Sequence, residues 1–332
     1  MINVLQPQPD QTIESLVAIS TLWSGQPVAG RVDRASADSE LKKMRGFVTP
    51  HLMTTYMVLG RHWFGSTMAL LECHAYAVLL KPFIGHRNYD MLSTDLLLDR
   101  RPGTMHVITS RDKVRAELHF CPACVESELT TLGYAYVHRA HQIVGVYVCA
   151  RHDLGLHQLL PDGCDWFAEH GAFTNFPKNS VELVEATGVD PDDLQNYAEF
   201  VAAALDGSLP GLSHSTRTAL CHRQLTGKNR LHTTSLQIRQ VYQSAEARYG
   251  RRFLEDVGAA WLAGPARCDE DPAAAGGRHD SAFGIGLALL ASSFRGPHHF
   301  RKAIYERFDC DLKVLSTTED QPEAVESEMM TP

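Results

Sequence analysis

What the 332-residue chain lacks narrows its class before any motif is read. No stretch reaches the roughly 18–20 uninterrupted apolar residues that a membrane-spanning helix needs. The most apolar run, Phe283 to Phe294, is shorter than that and is interrupted by Gly and Ser. Met1 to Asp10 has no basic residue and no apolar core, so no signal peptide and no membrane partner are expected, and a cytoplasmic location is. A Gly-rich phosphate loop is missing: Gly284-Ile-Gly286 lacks the following glycine and lysine, which argues against ATP binding by this chain. No Ser-His-Asp set or carboxylate pair stands out from chance, and there is no internal repeat. Positive charge is not in excess either. With 31 Lys and Arg against 39 Asp and Glu, the net charge of −8 is a poor balance for nonspecific nucleic-acid binding.

Among the eight cysteines, three stand in a pattern. Cys121-Pro-Ala-Cys124 and Cys149-Ala-Arg-His152 form two short knuckles separated by 24 residues. Each offers two donors on one tight turn, and two such turns complete a four-coordinate shell with no vacant position. That is the arrangement of one structural Zn2+ rather than a catalytic one. Such an ion contributes on the order of 10–16 kcal/mol to folding. A catalytic zinc needs a free position and a base; Glu126 and Glu128 are close in sequence and are expected at the surface. His138, His141, His157 and His170 are expected as surface or packing histidines, because the shell is already full. Cys73, Cys164, Cys221, Cys268 and Cys310 are read as free thiols of a reducing compartment, several of them buried.

Around the knuckles the pattern is helical, so the fold class expected is mainly α, with helical N- and C-terminal domains and a small central zinc ribbon. Residues 1–115 form the first domain, with helices near Ile13–Leu22, His51–Phe64 and Ser66–Phe83, the last capped by Ser66 and ended by Lys81-Pro82. Residues 116–165 form the ribbon, where the alternation of Val144, Val146 and Val148 suggests a strand. Residues 166–189 read as a linker. Residues 190–312 form the C-terminal domain. There Asp190-Pro191 opens a helix that runs to Gly207, and Ser213 or Ser215 caps a second through Leu225. Thr233 or Thr234 caps a third before Gly250, a loop spans Gly264–Asp280, and helices resume from Phe283. Residues 313–332 are too acidic and too poor in large apolar residues to fold alone.

Tyr136-Val-His-Arg139-Ala-His141-Gln142-Ile-Val-Gly145-Val146-Tyr-Val-Cys149-Ala-Arg-His152, with the first knuckle, resembles the core of the TniQ/TnsD family. These are target-site selectors of Tn-seven-like transposons. Val137 stands where a tryptophan is usual and Val144 where a proline is usual. Weaker similarities lie at Pro7–Gly25, at Leu71-Glu-Cys-His74 to Pro82-Phe83, and at Gln240–Gly250 with Arg251-Arg-Phe-Leu254. The resemblance implies a protein that is not an enzyme. It would recognise attachment-site DNA or a guide-RNA Cascade complex already paired with DNA, and recruit an AAA+ ATPase regulator. Cascade-linked members work as homodimers. Members that read attachment-site DNA directly tend to carry a long extra C-terminal region, and its absence here tilts the expectation toward the complex-binding kind.

Charge is unevenly spread. Between Arg217 and Phe253 eight basic residues face one acid, Glu246. Arg217, Arg223, Lys228, Arg230, Arg239, Arg251 and Arg252 are therefore candidate contacts to nucleic acid or to a partner surface. The helix–turn–helix order around Gly227 fits either role or a merely solvated face. His298-His299 beside Arg301 and Lys302 is a weaker phosphate candidate, and His74, within an apolar helix, is expected to be a hydrogen-bonded core residue. The two other readings the residues leave open are a zinc-stabilised protein that reads duplex DNA directly and, more remotely, a metal-dependent hydrolase.

Overall fold

The computed structural model describes residues 6–24, 52, 56–57, 65–84, 86–98, 117–160, 172–183, 187–227, 235–259 and 282–316. The expected helix at 51–64, the 264–280 loop and most of the acidic tail lie outside them. The described residues are mainly helical, with two small antiparallel sheets.

In the N-terminal section, α1 is Ile13–Ser24, α2 is Thr67–His74 and α4 is His86–Leu97. Ser66 caps α2 as its sequence suggests, accepting from the Ala69 N–H at 3.2 Å. The single helix expected to Phe83 is instead broken. Ala75 turns extended (φ −88°, ψ 154°), a 3₁₀ turn spans Tyr76–Leu80, and α3 covers Lys81–Ile84. Pro82 sits in the first turn of α3, where its missing N–H is no loss, so the proline helps to start a helix rather than ending one. No single helix among the described residues is long and apolar enough to cross a membrane. The bent pair Thr67–His74 and Tyr76–Ile84 would pass together by length and composition, but it turns by 70° and supplies Leu70, Leu71, Leu79 and Leu80 to the core.

In the centre, β1 (His119–Phe120), α5 (Pro122–Leu132), β2 (Ala135–Tyr136), α6 (Arg139–Gln142) and β3 (His157–Leu159) follow in order. Residues 172–183 were expected within a linker; they supply β4 (Ala172–Phe173) and β5 (Ser180–Glu182). The former pairs with β2, and the latter completes a sheet of order β1-β3-β5. The reason is packing: Phe173 is buried with its ring 5.5 Å from that of Phe120, a contact too sparse in sequence to show as alternation. The valine alternation, conversely, makes no continuous strand. Val146 N–H closes a turn onto Ile143 C=O, and only Val148 forms a bridge, to Gly155.

The C-terminal section holds α7 (Pro191–Leu205), α8 (His214–Thr226), α9 (Ser235–Asp256), α10 (Ala282–Ser293) and α11 (Pro297–Ser316). Asp190 and Ser213 are the N-caps, accepting from Asp192 and Thr216 N–H. The third helix was expected to stop before Gly250; the chain kinks there (φ 70°, ψ 158°) and then resumes helix to Asp256. The helix α10 has no polar face and accordingly lies inside, packed on α7, α8, α9 and α3. One apolar core takes Leu71 and Leu80 from the first section, Val146 and Cys149 from the centre, and Tyr197, Leu254 and Leu289 from the last. The divisions at 115/116 and 189/190 therefore cut across a shared core.

Candidate metal centre

Two local structures carry the four donors. Cys121 is extended (φ −95°, ψ 127°) and N-caps α5, with Pro122 as the first helical residue, so Cys124 falls on the first turn beside it. Cys149 opens a tip in which its N–H donates to Leu154 C=O (2.8 Å) and Asp153 N–H returns to Cys149 C=O (2.9 Å). Asp153 takes the left-handed conformation that closes this loop. His152 therefore points back at Cys149. The Nδ1 of His152 lies 3.5, 3.3 and 3.6 Å from the sulfurs of Cys121, Cys124 and Cys149, and the Cys124 and Cys149 sulfurs are 3.8 Å apart. All four donor atoms are within 4.8 Å of one another, the cysteines buried and the histidine exposed, and together they can hold a metal ion.

Crowding three thiols is costly without a cation. Hydrogen bonds from Cys121 and Cys124 pull the Cys149 thiol far below its ordinary range. Cys124 is pushed far up by its bonds to Cys121 and Cys149, and burial adds to the rise. Cys121 is also raised, the downward pull of Cys124 being outweighed by Cys149 and burial. One of the three ionises at the expense of the others, and a divalent cation removes that conflict.

The residues between the knuckles bind the centre to the rest of the molecule. Arg139 is 3% exposed. Its guanidinium donates to Asp10 Oδ1 (3.2 Å), Glu72 C=O (3.2 Å), Ala75 C=O (2.9 Å) and Leu205 C=O (3.3 Å), tying the N-terminal segment, α2 and the end of α7 together. Gln142 accepts from His119 N–H (3.1 Å) and donates to His119 C=O (2.7 Å), fixing the strand that leads into Cys121. Gly145 (φ 91°) lies against α7 and the end of α9; a Cβ there would run into Val257 and stand 2.9 Å from Tyr197.

One expectation is corrected here: Glu128 is buried, not a surface residue. His138 and His141 are buried as well, which falls within the expectation of surface or packing histidines. Glu128 lies 2.6 Å from His138 Nε2 and also accepts the Tyr136 N–H (3.1 Å), while Asp10 approaches the other ring nitrogen at 3.7 Å. Burial alone would pull His138 down, but hydrogen bonds to Asp10 and Glu128 push it up to about 9. Burial raises Asp10, yet His138 and Arg139 outweigh it and bring it to about 2. Glu128 follows Cys124 by four residues, which on a helix places both on one face; that spacing was the available sign. Cys124, Glu128 and His138 also meet as a set of donors, but the 2.6 Å between the last two is a hydrogen bond. Two ligands of one tetrahedral ion would stand about 3.3 Å apart.

The basic block is not a single contact surface. Arg217 is 3% exposed, donating to Pro82 C=O (3.4 Å) with its guanidinium 5.0 Å from the Phe83 ring centre, and burial lowers it to about 10. It cannot contact phosphate. Arg223 is half-buried, Arg239 and Arg252 are exposed, and Arg251 is exposed but paired with Glu255 at 3.0 Å. Lys228 and Arg230 lie outside the described residues, as does His170. Arg248 faces Asp193 (3.6 Å) and Ala291 C=O. His298 and His299 are exposed at the start of α11, and His299 Nδ1 bonds Arg295 C=O. His74, as expected, is a core residue, its Nδ1 2.7 Å from Gln11 C=O and its pKa held down to about 4 chiefly by burial. Cys221 is buried against Leu289 C=O, while Cys73 is exposed. No protein-family model matches the chain, and no curated protein matches it.

Proposed function

We propose that Cys121, Cys124, Cys149 and His152 hold one zinc ion as a structural staple. The chain around it then acts as a non-enzymatic target-selection adaptor in DNA transposition, linking a guide-RNA Cascade complex to an AAA+ ATPase regulator. The observation that carries the zinc is the spacing of the donors. A tetrahedral zinc places adjacent sulfurs about 3.8 Å apart and sulfur and nitrogen about 3.6 Å apart. The chain's own separations are 3.8 Å and 3.3–3.6 Å. Four protein donors fill such a shell and leave no place for a reacting water.

The adaptor role rests on the resemblance of the 121–152 segment to the TniQ/TnsD core. The geometry lends it a physical sense. The motif residues Arg139, Gln142 and Gly145 join the metal turns to the segments on either side, as a scaffold that presents surfaces requires. Two helices, α8 and α9, pack together with Gly227 capping the first, and they are offered as the helix–turn–helix. Within it Arg223, Arg239, Arg251 and Arg252 remain candidate contacts. So few cations suit a protein or ribonucleoprotein partner better than tight reading of bare duplex, since each phosphate neutralised costs about 0.9 in the logarithmic salt slope. Elemental analysis should find about one zinc per chain. Titrations at about 0.15 M salt should show stable binding of an assembled guide complex and weak, unselective binding of duplex. Tight, sequence-selective binding of duplex alone would overturn the adaptor reading in favour of direct DNA recognition.

A further inference from the structure

We infer that one face of α11 is a binding surface for single-stranded nucleic acid, with Arg301 and Lys302 as phosphate contacts and Tyr305 as a platform on which a base stacks. The surface depends neither on the metal nor on the adaptor reading. His298, Arg301, Lys302 and Tyr305 stand at i, i+3, i+4 and i+7, which on a helix is one face. The opposite side of the helix belongs to the core. Phe300 is 0% exposed, with its ring 5.2 Å from that of Phe294 and 6.3 Å from that of Phe200, and Ile304 is 8% exposed. With that side anchored, the other is turned to solvent. His298 is exposed, the Lys302 side chain is 67% exposed, and Tyr305, at 69%, is the most exposed of the large hydrophobic residues among those described.

An exposed tyrosine alone is ordinary; what it stands beside is not. With 39 acidic residues against 31 Lys and Arg, the chain has carboxylates enough for every cation, yet Arg301 has no carboxylate partner among the described residues. Lys302 meets only Glu306, at 3.9 Å, and a pair so exposed on both sides contributes little. Glu199 of α7 brings a carboxylate beside Gly296 at the start of the helix, but it forms no ion pair with this face among the described residues. Cations left for a partner suit a polyanion, and a flat exposed ring beside them suits one that also carries flat apolar groups. A single strand offers both, since its bases are not paired away and every base has a face that stacks on an aromatic ring. A duplex turns those faces inward, and an acidic peptide has none.

The test is fluorescence anisotropy with the full chain and a labelled oligothymidylate of about 20 nucleotides, at about 0.05 M salt where phosphate contacts are strong. The parent should bind it more tightly than a duplex of the same length and more tightly than polyglutamate. Tyr305→Ala should bind about 10-fold more weakly, and Tyr305→Trp, which keeps a stacking ring, should restore the parent's affinity. The double variant Arg301→Gln/Lys302→Gln should lower the slope of log affinity against log salt by about 1.4, the share of two phosphates on a single strand. Lys178→Gln, which removes an exposed cation from the β4–β5 segment, should leave binding unchanged. The residues replaced on α11 are exposed or half-buried, and circular dichroism confirms that each variant keeps its helices. Parental affinity in Tyr305→Ala, or an unchanged salt slope in the double variant, would overturn the proposal. So would a parent that does not bind the oligonucleotide, or a loss in Lys178→Gln as large as in the double variant. Polyglutamate bound as tightly as the oligonucleotide would overturn it in favour of an acidic protein partner, and duplex bound as tightly would remove the role of the ring.

Discussion

Between Leu118 and Leu159 the longest strand has three residues and the helices have eleven and four, whereas α7, α9 and α11 have fifteen, twenty-two and twenty. The two regions hold themselves together by different physics. The C-terminal helices bury Tyr197, Phe200, Tyr249, Phe253, Phe294 and Phe300 in mutual ring contacts, and their stability grows with apolar area. The central segment buries charged and polar groups instead: Arg139, His138 and Glu128, with His141 and three thiols. Buried charge repays its desolvation only when every partner is in place. A region built that way should respond all-or-none to the loss of one partner, and a region built on area should respond in proportion.

The largest effect expected is from the metal ligands. Cys149→Ser, or removal of zinc by a chelator, should forfeit most of the roughly 10–16 kcal/mol that such an ion contributes, giving insoluble or metal-free protein by elemental analysis and circular dichroism. Well-folded protein without metal would erase the contrast between the regions. Arg139→Met comes next. It leaves Asp10 with His138 as its cationic partner and leaves three carbonyls short of a donor, so a loss of about 3–5 kcal/mol is expected in urea unfolding. Phe200→Ala should cost a similar amount, about 3–5 kcal/mol, by cavity formation. The distinction between the two lies in metal release, which should change in Arg139→Met and not in Phe200→Ala.

The joint between the regions is tested by Gly145→Ala. A Cβ at φ 91° meets Val257 and Tyr197, and overpacking of that kind costs about 1–3 kcal/mol before any backbone strain is added. Thermal unfolding should register the loss while zinc content stays at one per chain.

The smallest effect sought is a pH dependence. The folded His138 is raised from 6.5 to about 9, so its stabilisation is complete below about pH 6.5 and is lost as pH rises through 9. Asp10, lowered from 3.8 to about 2, contributes above about pH 3.8 and loses that contribution as pH falls through 2. Urea midpoints of zinc-loaded protein at pH 6.5 and 9 should therefore fall in the parent and fall less in His138→Gln. Equal slopes would show that His138 is not held protonated by its carboxylates.

Much of the helical architecture is legible locally. Ser66, Asp190 and Ser213 cap helices as read, and Gly207, Gly227 and Gly250 mark breaks, because capping and left-handed φ depend on residues within one turn. The strands at 172–182 are not legible, since two or three residues carry no period. Nor is the break at Ala75, where nothing in the local sequence opposes continued helix.

The sequence by itself picked out the four donors that can hold a metal ion, because both knuckles are short turns whose spacing alone brings each donor pair together. Only the tertiary structure decided what surrounds them. Asp10 and Arg139 are 129 residues apart, and neither shows its partner in sequence. Arg217 looks like any other member of a basic block until Pro82 and Phe83 of α3 meet it in the packed core. Burial is a property of the whole packed core, not of neighbours along the chain. The same argument separates His141 from His298: one ring is enclosed against His138, the other is exposed, and their local sequences do not say which.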